Sequence, residues 1–291
     1  MTAGAGGEVA LERAARSRLT LIVGDVDTGK TSLATSLANG LLARGFRVGV
    51  VDADLGQSEI GPPTTIGLGR VTRVLACLGD AGVAGLSFVG STSPQGHVGA
   101  TVAGTRRMAD RAAAAGLERV VVDTSGLIGG ELGRILKQRK IELLDPDVVI
   151  CLEHGGECEP ILRSYAGRGR PEILRLPVAE HVRRRSAAAR RRRREAALNA
   201  YFQGAAPLRL ALSGLEFRLM GDRSDRAPLD GRDELEGALV GLDDAGGDTL
   251  GLGAIRAVDF AGRTLLVDTP VRDVHVAGLR LGVRRSEARV M

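Results

Sequence analysis

Residues 24 to 31 read Gly-Asp-Val-Asp-Thr-Gly-Lys-Thr and satisfy the spacing G-x-x-x-x-G-K-[ST]. That spacing makes a phosphate cradle. Backbone N–H groups turn inward around the anion, and glycine at 24 and 29 lets the backbone approach without a Cβ in the way. Lys30 reaches the β- and γ-phosphates, Thr31 offers its hydroxyl to Mg²⁺, and the helix that follows points its positive end at the ligand. The loop residues Asp25, Val26, Asp27 and Thr28, with Ser32 in the first turn, complete the expected ATP-binding set. Two further sites carry acids after apolar runs. Asp123 ends Arg119-Val120-Val121-Val122 and suits a second Mg²⁺-holding acid, or more plainly a cap for the next turn. Asp52 and Asp54 follow Val48-Gly49-Val50-Val51; on an extended backbone both would point the same way. One could then take the proton from a substrate hydroxyl during phosphoryl transfer. Gln57 keeps a different chemistry open, the orienting of water by a simple nucleoside triphosphatase.

A third feature is electrical. Eight arginines (183, 184, 185 and 190 to 194) fall within twelve residues, and only Glu180 and Glu195 lie near them in sequence. Like charges on one helix repel, so this one is costly unless anions meet it. Arg190 and Arg194 are one turn apart. A lid that closes over a triphosphate would use them, a nucleic-acid backbone would engage the same side chains, and a solvated charged face is the blander reading.

These residues need elements to carry them. Leu19 to Val23 reads as a buried strand feeding the cradle, and residues 31 to 42 as a helix with Leu33, Leu37 and Leu41 four apart. Strands are expected at 46–51, 85–90, 119–122, 147–152 and 172–176, and helices through 108–115, 130–143 and 181–202. A Gly- and Pro-rich loop is expected from 58 to 69. Strands alternating with helices give a parallel sheet in a three-layer α/β/α sandwich of the P-loop NTPase type. In that architecture ligands collect at the carboxyl ends of the strands, where Gly24, Asp52, Asp54, Ser91 and Asp123 all fall. Beyond residue 204 the chain changes to short apolar runs between Gly and Asp turns, a small β-rich domain. The expected division is an extension over 1–17, a P-loop domain over 18–204 with its Arg-rich lid at about 180–203, and the β-rich domain over 205–291.

With 291 residues, 44% hydrophobic and only 2% aromatic with no Trp, the core must be aliphatic. Lysine occurs only at 30, 137 and 140, so nearly all positive charge is Arg. A net charge of +5 says little by itself about a nucleic-acid partner. Cys77, Cys151 and Cys158 are odd in number and point to a reducing compartment. Cys151, His154 and Cys158 lie close in sequence, but no fourth ligand at zinc spacing accompanies them, and a strand end is the simpler reading. Residues 1–18 have neither the apolar core of a signal peptide nor that of a membrane anchor, so a cytoplasmic protein with no membrane association is expected.

Together these segments resemble the polynucleotide 5′-hydroxyl kinases found in archaea, in the nucleolus and in the mRNA cleavage and polyadenylation machinery. The resemblance rests on GDVDTGKT, on DADLGQSEIGPPTTIGLG at 52–69, on GSTSP at 90–94, on DTSGLIGGELGRIL at 123–136, and on the lid spacing Arg185-Ser186, Arg190, Arg194, Tyr201-Phe202. It covers roughly 18–204, and 240–285 is similar to the small C-terminal domain of the archaeal type. Leu127 stands where larger members carry Trp. The resemblance implies ATP- and Mg²⁺-dependent phosphorylation of a 5′-OH polynucleotide end, RNA or DNA. It makes Asp54 the general base and Lys30 and Thr31 phosphate and metal residues. Asp52 and Asp123 become metal supports, Gln57 with Ser91, Thr92, Ser93 and Pro94 the acceptor's binding segment, and Arg185, Arg190 and Arg194 the lid arginines. The alternatives are an ATP-binding assembly factor with little turnover, and a P-loop kinase or NTPase for a small acceptor. Protein partners are not legible.

Overall fold

The computed structural model describes residues 5–179, 185–220, 235–272 and 274–285. In chain order they form α1 (Ala5–Arg16), β1 (Leu19–Gly24), α2 (Lys30–Ala43), β2 (Val48–Ala53), β3 (Thr65–Val71), β4 (Gly82–Phe88), α3 (Val98–Ala114), β5 (Arg119–Thr124), α4 (Gly130–Leu144) and β6 (Val148–Glu153). A short helix α5 (Glu159–Leu162), β7 (Glu172–Pro177) and α6 (Ala187–Tyr201) follow. The last part is β8 (Ala206–Ala211), β9 (Glu216–Leu219), β10 (Ala238–Asp243), β11 (Thr249–Asp259), β12 (Thr264–Thr269) and β13 (Gly278–Arg284).

The centre of the sheet is parallel, in the order β7-β6-β1-β5-β2. Its strands are continuous apolar runs because helices cover both faces. Alternate residues serve two separate cores. Ile22, Val50, Val121 and Ile150 pack with Ala10, Leu37 and Leu41 of α1 and α2. Val23, Val51, Val122 and Val149 pack with Met108, Ala112 and Ile141 of α3 and α4. Three layers follow from that alternation, and the expected α/β sandwich is present.

The sheet is mixed rather than purely parallel. Residues 65–71, expected within a loop, form β3, antiparallel to both β2 and β4. Glycine weakens strands, which is why Gly67 and Gly69 argued against one. Their purpose is close approach. A Cβ on Gly67 would stand 1.9 Å from the Ile60 carbonyl oxygen, and one on Gly69 would meet the Ile60 side chain at 2.9 Å. The turn at 58–61 therefore lies flat on β3, and that turn carries the Asp52 partners described below. Gly67→Ala is expected to destabilise the fold by about 1–3 kcal/mol or more, the cost of overpacking a site whose obstacle is backbone. The midpoint of thermal unfolding checks this, and an unchanged midpoint would remove the packing argument.

The basic helix is shorter than expected. It starts at Ala187 because Ser186 caps it, the Ser186 Oγ accepting from the Ala189 N–H at 3.2 Å. Residues 180–184, with Arg183 and Arg184, lie outside the described residues. At its other end α6 stands on the C-terminal strands: Leu198 and Phe202 pack with Phe88, Leu239 and Leu252, and the Leu252 N–H donates to the Tyr201 hydroxyl at 2.7 Å.

Those strands have their own apolar core, yet they continue the central sheet. Thr249 of β11 pairs with Leu86 of β4 and accepts from the Phe88 N–H at 3.1 Å, while the Val283 N–H donates to the Gly90 carbonyl at 2.8 Å. Among the described residues, no helix is long and apolar enough to cross a membrane.

Candidate active site

β1, the central parallel strand, delivers the chain to the cradle. Its last residue, Gly24, sits where a Cβ would be 2.6 Å from the Leu152 carbonyl oxygen of β6, so only glycine lets the loop leave the sheet there. Gly29, with φ of +88°, adopts the left-handed conformation that opens α2. Lys30 is 94% buried, and its ammonium donates to the Asp25 carbonyl and, at 3.4 Å, to the Thr28 hydroxyl. Burial lowers its pKa, opposed by the charges of Asp123, Asp54, Asp25 and Asp27. The Val26 N–H donates to the Asp25 carboxylate at 2.7 Å, and Ser32, one residue beyond Thr31, lies in the first turn of α2.

Asp52 and Asp123 stand in register on adjacent parallel strands, β2 and β5. Both are buried. Asp123 accepts from the Thr31 hydroxyl at 2.6 Å through Oδ2, and its Oδ1 is buried with no partner among the described residues. Burial pushes its pKa up to about 6 even though that hydroxyl favours the charged form. Asp52 is pushed up to about 7, first by burial and then by the charge of Asp123. Its oxygens are taken: Oδ1 accepts from the Asp54 N–H at 3.1 Å, and Oδ2 from the N–H groups of Glu59 and Ile60 at 2.6 and 3.0 Å.

Asp54 lies just past the strand, so the two acids are not a matched pair on one extended face. Its Oδ1 accepts from the Gly56 and Gln57 N–H groups at 3.0 and 2.9 Å, forming a tight local turn. That turn packs against the segment at 91–94, the Thr92 carbonyl occupying space a Cβ on Gly56 would need. Ser91, Thr92 and Pro94 are buried; Ser91 Oγ accepts from the Ser93 N–H at 3.1 Å, and the Thr92 hydroxyl has no partner among the described residues.

The lid helix closes this group from above. Arg194 is 92% buried, its Nη1 lies against Gly56, and its Nε has no partner among the described residues. Burial lowers its pKa, and the strongest opposing attraction is Asp54. Arg190 pairs with Asp27 of the cradle at 3.2 Å, and the same Asp27 oxygen accepts from the Arg185 N–H at 2.8 Å. The structure thus brings Arg190 and Arg194 to the site by their guanidinium groups but Arg185 by its backbone, its side chain being exposed. Gln57 donates from its amide to the Arg190 carbonyl at 3.2 Å, while its Oε1 is buried with no partner among the described residues.

The basic run is compensated mainly from across the fold, which sequence neighbours could not reveal, and once by the neighbour Glu195. Asp27 answers Arg190, Glu59 answers Arg193 at 2.5 Å, and Glu195 answers Arg191 at 3.0 Å. Residues that sequence reasoning passed over also line the floor. Lys137 and Lys140 of α4 are fully buried beneath the acids. The available signal was their rarity: in a chain that uses Arg almost everywhere, all three lysines converge on one site.

Cys151 lies near the end of β6 and Cys158 in the turn after it, as the simpler reading expected, and both belong to the apolar core. Glu153, not His154, is the third group near them, their ligand atoms lying within 4.8 Å of one another. Its carboxylate is already paired with Arg175 at 2.7 Å. Leu127 packs half-buried against Val98, Val102 and Leu136.

Comparison with known proteins bears on the family and the fold. Residues 24–204 match the family described as mRNA cleavage and polyadenylation factor CLP1 P-loop. A polyribonucleotide 5′-hydroxyl-kinase of Pyrococcus abyssi is 30% identical over 309 residues, covering 90% of this chain and 86% of the relative. One from Methanocaldococcus jannaschii is 29% identical, covering 89% and 84%. Among solved structures, a complex of wild-type Clp1p with a segment of Pcf11p aligns with a TM-score of 0.71 at 16% identity, over 94% of this chain and 76% of that one, which shows the shared fold. The chain belongs to the CLP1 P-loop family, of the type represented by the archaeal polyribonucleotide 5′-hydroxyl-kinases.

Proposed function

We infer that the chain is a polyribonucleotide 5′-hydroxyl kinase that transfers the γ-phosphate of ATP to the 5′-OH end of an RNA. The observation that carries this is a two-sided site. The cradle with Lys30 and Thr31 forms the donor side; Asp54, Gln57 and the 91–94 segment form an acceptor side, with the lid helix bonded to both. A nucleotide-only enzyme has no need of the second wall.

In this reading the residues of the cradle, 24 to 32, hold the triphosphate and Asp54 accepts the proton of the attacking hydroxyl. Arg190 and Arg194 offset charge on the transferring phosphoryl group, and Arg185 fixes the start of the lid. Gln57, Ser91, Thr92, Ser93 and Pro94 hold the acceptor's terminal nucleotide. The unpartnered Asp123 oxygen and the Thr31 hydroxyl beside it suit a hard cation with oxygen ligands, so these two residues would hold Mg²⁺. When bound, Mg²⁺ neutralises charge on the β- and γ-phosphates. Asp52, with its oxygens engaged, supports that cation by charge alone.

Lys30→Ala is expected to lower label transfer from γ-labelled ATP by about 10²–10³-fold, the loss typical of one preorganised charged donor. The assay uses 5′-OH RNA and matched DNA oligonucleotides beside a free nucleoside. Transfer to the nucleoside alone would support the small-acceptor reading, and retained ATP without transfer the assembly-factor reading.

A further inference from the structure

Two buried lysines have no place in that scheme. Lys137 and Lys140 sit three apart on α4, so both project from the same face of the helix. Each is fully buried, and neither forms an ion pair within 4 Å among the described residues. Their ammonium groups are spent instead on the two strand ends that carry the acids. Lys140 donates to the Ala53 carbonyl at 3.4 Å, the peptide that leads into Asp54. Lys137 donates to the Thr124 hydroxyl at 2.8 Å and to the Ser125 carbonyl, the residues that follow Asp123. Thr124 in turn donates to the Ile22 carbonyl of β1 at 2.8 Å, tying this floor to the strand that enters the cradle.

Such burial is costly unless opposite charge is near. The charges are there: Asp52 and Asp54 from the end of β2, and Asp123 from β5. The other titratable groups facing the pair are Lys30 from α2 and Cys158 from the turn after β6. Arg194 reaches Asp54 from the lid. Three buried or half-buried acids thus meet three buried lysines. A guanidinium would fit these positions poorly, because it is larger and planar and needs donors satisfied in a fork.

The geometry points to Lys140 and Lys137 as positioning residues for the kinase reaction: they pin the ends of β2 and β5, and Lys140 sets its charge beside the Asp54 that accepts a proton. This rests on Asp54 being the base. Lys140, held near a pKa of about 8 by burial against the pull of the three acids, stays charged at neutral pH. Removing the Lys140 ammonium frees the Ala53 carbonyl and loosens the strand end that carries Asp54, so the loss must fall on the transfer step rather than on ATP binding.

The test compares Lys140→Met and Lys140→Gln with the wild type and with Asp54→Asn, using γ-labelled ATP and a 5′-OH RNA oligonucleotide. Met keeps the volume without charge; Gln keeps a donor for Ala53 without charge. Both are expected to lose at least tenfold in kcat at pH 7 and to keep the KM for ATP within about threefold. Thermal midpoints should fall, since removing one member of a buried charge cluster leaves the acids less compensated, so kcat is read at a temperature where both variants remain folded. A wild-type kcat in either folded variant, or a KM for ATP that rises as far as kcat falls, overturns the inference. If Asp54→Asn is inactive while the Lys140 variants match the wild type, the lysine floor fails and the base assignment stands; an active Asp54→Asn removes the base assignment itself.

Discussion

Asp54→Asn is expected to lower kcat about 10²–10⁴-fold, the contribution of a positioned general base, while ATP affinity changes little. The variant is clean because of how the turn is built. Oδ1 accepts from the Gly56 and Gln57 N–H groups, and an Asn carbonyl makes the same two bonds. Oδ2 is the oxygen left for an acceptor hydroxyl, and Asn puts an amide there that cannot take a proton. Single-turnover transfer to 5′-OH RNA measures the loss, with nucleotide binding by equilibrium titration as the control. A rate within threefold of wild type would move the base elsewhere.

Arg194→Ala should cost about 10³-fold or more in kcat, the scale of an arginine that meets developing charge on a transferring phosphoryl group. Its burial is the reason for expecting so much. At 8% exposure its guanidinium is poorly hydrated, so an anion brought to it interacts in a weakly screening medium. Its neighbour Arg192 is exposed on the same helix. Arg192→Ala should stay within about threefold at saturating RNA, and equal losses for the two would mean the helix acts only through its summed charge. The pair separates a catalytic arginine from a basic face.

Much of this site was legible before the fold was known, because a phosphate cradle needs a fixed spacing and its acids must end apolar strands. Gly24, Lys30, Thr31 and Asp123 are of this kind, and α/β layering follows from the same apolar runs. What stayed hidden depends on contacts far apart in sequence. Gly67 and Gly69 argue against a strand until Ile60 is seen lying over them. The turn at Asp54 replaces an extended pair because Asp52 is already engaged by the Glu59 and Ile60 amides. The charge balance of the lid comes from Asp27 and Glu59, 163 and 134 residues away from their arginine partners. Lys137 and Lys140 read as ordinary helix residues, and only their rarity marked them.

The central claim is that cradle, acids and lid form one site joining ATP to an RNA end. It is tested most directly by incubating the full chain with γ-labelled ATP, Mg²⁺ and one RNA oligonucleotide bearing either a 5′-hydroxyl or a 5′-phosphate. The account predicts label on the 5′-hydroxyl RNA, removable by phosphatase, and none on the 5′-phosphorylated RNA. ATP hydrolysis that is indifferent to the oligonucleotide, with no label on either RNA, would contradict it.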